Sequence, residues 1–99
     1  MRINILGHSY NVTLDPCLLR DRSSAGECCA NAQNIHLDSS VPDDRKEGTF
    51  IHEVIEALNY ELELGLEHPN ITRLETGIYQ FIKANGGAEW LSGLVKKIK

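Results

Sequence analysis

Within "TFIHEVIEALNYELELG", Thr49 to Gly65, the chain carries His52, Glu53 and Glu56 in the order His-Glu-x-x-Glu. Residues four apart on a helix share a face with Cβ atoms roughly 6 Å apart, so an imidazole at position 52 and a carboxylate at 56 can converge on one ion. Glu53 points about 100° further round the helix. From there it can take a proton from a water beside the ion without ligating the ion itself. The chemistry such a pattern supports is metal-assisted hydrolysis. Glu56 stands where the His-Glu-x-x-His signature of zinc peptidases has its second histidine. The same spacing also occurs as an ordinary surface pair contributing a few tenths of a kcal/mol, roughly, to an acidic helix.

A catalytic zinc keeps three protein ligands and one open position, so a further group must come from elsewhere. Glu75 follows Glu56 with eighteen residues between them. His68 lies seven residues before Glu75, two helical turns away on nearly the same stripe. Spacing favours Glu75, and charge favours His68. One histidine with two carboxylates nearly neutralises a divalent zinc and weakens its polarising power. Two histidines with one carboxylate form a known productive set. Two carboxylates would also suit manganese or iron. Outside a metal site, Glu75 would be a solvated residue paired with Arg73 or Lys83.

"HEVIEAL", preceded by "KEGTFI" and followed by "ITRLETGIYQFI", resembles small zincin-like metallopeptidase domains encoded in phages and prophages, over roughly residues 33–83. The resemblance implies a helix carrying the ligands beneath an antiparallel edge strand, here "NIHLD", with a second helix supplying the third ligand. It implies His52 as the first zinc ligand, Glu53 as the general base and Glu75 as the third ligand. Glu56 departs from that pattern. The function expected from it is a phage-derived metal-binding protein, with zinc first and manganese or iron next. It would act as a peptidase on a protein or peptide aligned along the edge strand. The alternative keeps the fold without catalysis, as a structural or regulatory prophage module that docks a protein through the sheet edge or the segment around Trp90.

The elements needed to position these residues are readable from patterning. "RINILG" and "HSYNVTLD" predict a hairpin turning at Gly7-His8. "PCLLRDRSSAG" reads as a loop. "ECCANAQNIHLD" predicts a second hairpin, with Asn31-Ala32 or a neighbouring pair at its turn and Ile35 and Leu37 on one face. Ser40 as N-cap, Pro42 and the Asp43-Asp44 pair start the ligand helix, which Gly65 ends. Pro69 opens a second helix with an apolar side of Ile71, Leu74, Ile78, Phe81 and Ile82, terminated by Asn85-Gly86-Gly87. Trp90, Leu94 and Ile98 outline a short closing helix. The expected fold is α+β: an antiparallel sheet of three or four strands packed on two main helices, with a short C-terminal helix. Residues 1–99 are expected to form one domain, since no linker, repeat or low-complexity tract divides them, and the resemblance implies that it is zincin-like.

Composition narrows the partners. A formal charge of -4 across 99 residues offers no basic stripe for nucleic acid, and the terminal "KKIK" suits the negative end of a helix. The apolar runs are too short to span a bilayer. The first residues lack a continuous apolar core and a cleavage site, so no signal peptide is expected and the expected compartment is the cytoplasm. Three cysteines cannot all pair within the chain, which fits reduced thiols. Cys28 and Cys29 with His36 form a weaker metal candidate, because adjacent cysteines lack the spacer of structural zinc sites. The oligomeric state is not legible.

Overall fold

A computed structural model describes residues Met1–Lys99. The chain begins with a hairpin of β1 (Arg2–Ile5) and β2 (His8–Asp15), paired antiparallel with Ile5 opposite His8. The turn is Leu6-Gly7, one position earlier than expected. Both residues have positive φ, as the type I′ turn of a right-twisted hairpin requires, and Gly7 N–H donates to Asn4 Oδ1 at 3.0 Å.

The expected loop after β2 contains a short helix, α1 (Leu18–Arg22), which leads to β3 (Gly26–Cys29), a 3₁₀ turn at Ala30–Ala32 and β4 (Asn34–Asp38). β3 and β4 form the second predicted hairpin. The strand order is β1-β2-β4-β3, with β2 and β4 parallel. The sheet is therefore mixed, where an all-antiparallel one was expected. "NIHLD" is an inner strand, and the edges are β1 and β3. The cause is α1, which spans the end of the sheet instead of returning along it. β3 starts one place further out, and β4 folds back into the gap beside β2. Asp38 secures this corner by accepting from Leu19 N–H at 2.6 Å and from Ser40 N–H at 2.7 Å. The Ser40 hydroxyl also donates to Asp38. Ser40 is thereby drawn into the corner, and Pro42 takes the N-cap position of the next helix.

That helix, α2 (Asp43–Leu62), lies across one face of the sheet; α3 (His68–Ala84) packs against it, and α4 (Ala88–Lys96) closes the far end. α2 stops at Glu63, which adopts the left-handed conformation expected of Gly65 two residues on. The strands alternate as a one-sided sheet must. Tyr10 and Val12 of β2 and Ile35 and Leu37 of β4 face inward, fully buried under Phe50, Ile51, Ile55 and Ala57. Ile71, Leu91, Val95 and Ile98 complete the same cluster.

The apolar side foreseen for α3 is only partly used. Ile71 is buried, Ile82 is partly so, and Leu74, Ile78 and Phe81 are exposed. Polar ties set the rotation of this helix. Tyr79 OH donates to buried Glu47 at 3.0 Å, Lys83 Nζ reaches the same carboxylate at 3.4 Å, and Glu75 meets His52. The seam facing α2 therefore runs through residues 71, 75, 79 and 82. No helix is long and apolar enough to cross a membrane.

Candidate metal centre

His52 and Glu56 occupy successive turns of α2, His52 only 9% exposed and Glu56 half-buried. His68 is the first residue of α3, so its place depends on the link that follows α2. Asn59 clamps that link. Its Oδ1 accepts from Leu66 N–H at 2.9 Å and its Nδ2 donates to Leu66 O at 3.2 Å. The clamp returns His68 over the row that carries His52, with the two ring centroids 5.0 Å apart.

One donor atom each from His52, Glu56 and His68 lies within 4.8 Å of the others. Ligands about 2.0–2.1 Å from a tetrahedral ion stand roughly 3.4 Å from one another. Closing the triad onto an ion therefore takes side-chain movements of about an ångström, available to an exposed His68 and a half-buried Glu56. Two imidazoles and one carboxylate also make a chemically sound set for zinc. The donors present fit a divalent ion.

Glu75 meets this set from behind. Its Oε1 lies 3.0 Å from His52 Nδ1, and it pairs with neither Arg73 nor Lys83, the latter being engaged with Glu47. Gly48 eases the approach, since a Cβ there would stand 3.0 Å from Glu75 Oε2 and the carboxylate would have to give by a few tenths of an ångström.

Glu53 is 4% exposed and belongs to none of the ion pairs. Burial first, then the negative charges of Glu56, Glu27 and Glu75, pushes its pKa up to about 8. β3 passes close above it. A Cβ at Gly26 would meet Thr49 Cγ2 at 2.4 Å and Glu53 Oε2 at 3.0 Å, so only glycine lets the edge strand sit this near to α2. A cleft of about 210 Å³ separates Ser24–Gly26 from His68, Thr72 and Glu75, with Thr49, His52 and Glu53 along its floor.

The cysteine alternative does not assemble. Cys28 packs inward, where burial and then Glu53 and Glu56 push its thiol up to about 12. Cys29 is exposed, and His36 bonds to Thr13 at 2.8 Å in the strand position opposite Glu27, on the face turned away from Cys28.

Of the five residues singled out in the sequence, His52, Glu53, His68 and Glu75 line one cleft, and Glu56, outside that lining, brings a donor within 4.8 Å of those of His52 and His68. The sequence reading missed the roles of Asn59, Gly48 and Gly26. An amide in the last turn of a helix is a recognisable signal, since it can satisfy both backbone groups of a turn residue. The two glycines give no such signal before the partner strand and helix are placed. Comparison with family models, curated proteins and solved structures gives no match.

Proposed function

We propose that this chain is a phage-derived, zincin-like metal-binding protein of the cytoplasm. His52, Glu56 and His68 hold one divalent ion, with zinc the first candidate and manganese or iron next, and Glu53 serves as general base in peptide hydrolysis. The observation that carries the reading is the convergence of the three donors within 4.8 Å. When bound, the ion supplies Lewis-acid polarisation of a carbonyl and acidifies water.

The chain's own groups do the rest. Glu53, walled in by β3 and unpaired, accepts the proton of an attacking water at a carboxylate oxygen and passes it to the leaving amine. A positive charge among these carboxylates favours the ionised form that a base requires. The free edge of β3 offers main-chain N–H and C=O groups beside the cleft, suited to pairing with an extended peptide. This moves the role expected of "NIHLD" to Gly26–Cys29.

Protein purified without chelator should hold about one equivalent of metal, and chelator should lower its melting temperature. Glu53→Gln should keep the metal and lose hydrolysis of an unstructured protein substrate. Equal hydrolysis by that variant would refute the assigned base.

A second reading, a non-catalytic module that docks a protein, is favoured by a separate observation. Phe81 and Trp90 are 64% and 63% exposed, and Ile78 and Trp90 border an almost wholly apolar groove of about 380 Å³ between β1, α2, α3 and α4. Exposed apolar surface of this kind marks contact sites. Absence of both bound metal and any chelator effect would favour this reading over the first.

A further inference from the structure

We infer that Glu75 is a positioning residue for the metal centre, aiming His52 at the ion, and that Gly48 is present to admit it. The inference rests on the metal reading above and assigns Glu75 a part different from the third-ligand role implied by the motif's resemblance.

Glu75 Oε1 is 3.0 Å from His52 Nδ1. An ionised carboxylate only accepts, so Nδ1 must carry the hydrogen, and Nε2 is left with the lone pair that can bind a metal. Imidazole ligands are commonly held in this way by a carboxylate on the opposite nitrogen, which fixes ring orientation and raises basicity. His52 is nearly buried, and the bond joins α2 to α3, so the ring is held both by its attachment to α2 and by the Glu75 bond at Nδ1. Meanwhile the triad closes without Glu75, through the exposed His68.

Gly48 gives independent support. It lies one turn before His52, as the sixth residue of a 20-residue helix, an interior place where glycine weakens the helix relative to alanine. Its missing Cβ leaves Glu75 Oε2 in place, where an alanine Cβ would stand 3.0 Å away and push the carboxylate by a few tenths of an ångström. The weakened turn is therefore matched to the carboxylate that reaches His52.

The test uses cobalt(II) and zinc on the full chain. Unaltered protein, Glu75→Gln, Glu75→Ala and Gly48→Ala are titrated by competition with a chelating dye, and the visible absorption of each cobalt form is recorded. Glu75→Ala should still bind one equivalent, with affinity reduced about 10- to 100-fold. Its cobalt spectrum should keep the shape and intensity seen in the unaltered protein, because the ligands are unchanged. Glu75→Gln, which preserves shape and one acceptor oxygen, should fall between the two and covers the case in which alanine prevents folding. Gly48→Ala should weaken metal binding while leaving the melting temperature of the metal-free protein unchanged or higher. A merely structural role would move affinity and stability down together.

A changed cobalt spectrum in Glu75→Gln, or loss of the ion altogether, would overturn the inference by making Glu75 a ligand. Undiminished affinity in Glu75→Ala would overturn it by leaving Glu75 no role at the metal. Failure of the unaltered protein to bind either ion would instead refute the metal reading, and the positioning role with it.

Discussion

Glu53→Gln should stabilise the metal-free protein, and increasingly so as pH rises. In the unfolded chain Glu53 ionises around its ordinary value of 4.5; in the folded protein burial and the neighbouring carboxylates hold its proton up to about 8. Between those values the unfolded state has released a proton that the folded state still binds, so raising the pH favours unfolding. The advantage of the protonated form is complete below the ordinary carboxylate range and is lost progressively until about pH 8. At about 1.4 kcal/mol per unit, the penalty is roughly 1 kcal/mol at pH 5, roughly 3 at pH 7 and roughly 4 at pH 8. Glutamine carries no charge and escapes it. Urea unfolding of both proteins in chelator at pH 5, 6, 7 and 8 should show a stability difference that widens by those amounts. His52, His68, Glu27, Glu56, Glu75 and Cys28 surround position 53 in both proteins, so the comparison changes only the group at position 53. A pH-independent difference, or a variant less stable than the unaltered protein at pH 8, would refute the electrostatic account of this carboxylate.

Gly26→Ala should cost about 1–3 kcal/mol through overpacking, because the new Cβ would stand 2.4 Å from Thr49 Cγ2. Thr49→Ser in the same chain removes that methyl and should recover much of the loss in urea unfolding; strictly additive losses would contradict the contact. Asn59→Ala removes both bonds to Leu66 and should cost about 1–3 kcal/mol. It should also weaken zinc binding by freeing His68, and a loss of stability with unchanged zinc affinity would break the proposed link between clamp and site.

The local elements were legible where one short-range signal had no rival. Alternation in "HSYNVTLD" and "NIHLD" marked two strands, Pro69 opened α3, and Asn85-Gly86-Gly87 followed its last residue, Ala84. The α+β class came from those signals. Strand order was not legible, because it depends on α1 spanning the end of the sheet and on Asp38 gathering Leu19 and Ser40. The same competition displaced the expected N-cap, since Ser40 gives its hydroxyl to Asp38. In α3 the apolar pattern pointed one way, while Glu75, Tyr79 and Lys83 turned the helix another. At the site, the four-residue spacing of His52 and Glu56 was readable from helical geometry alone. Where His68 and Glu75 stand relative to His52 was not, because Asn59 folds the link that carries His68 back over the row and Glu75 bonds the His52 ring across the α2–α3 seam.

Under the proposed function two imidazoles and one carboxylate from α2 and α3 share a single ion, and X-ray absorption at the zinc edge of the loaded protein counts those imidazoles. Scattering from two imidazoles per zinc is expected, falling to one in His68→Ala. A spectrum showing a single imidazole in the unaltered protein, or one that does not change when His68 is removed, would contradict it.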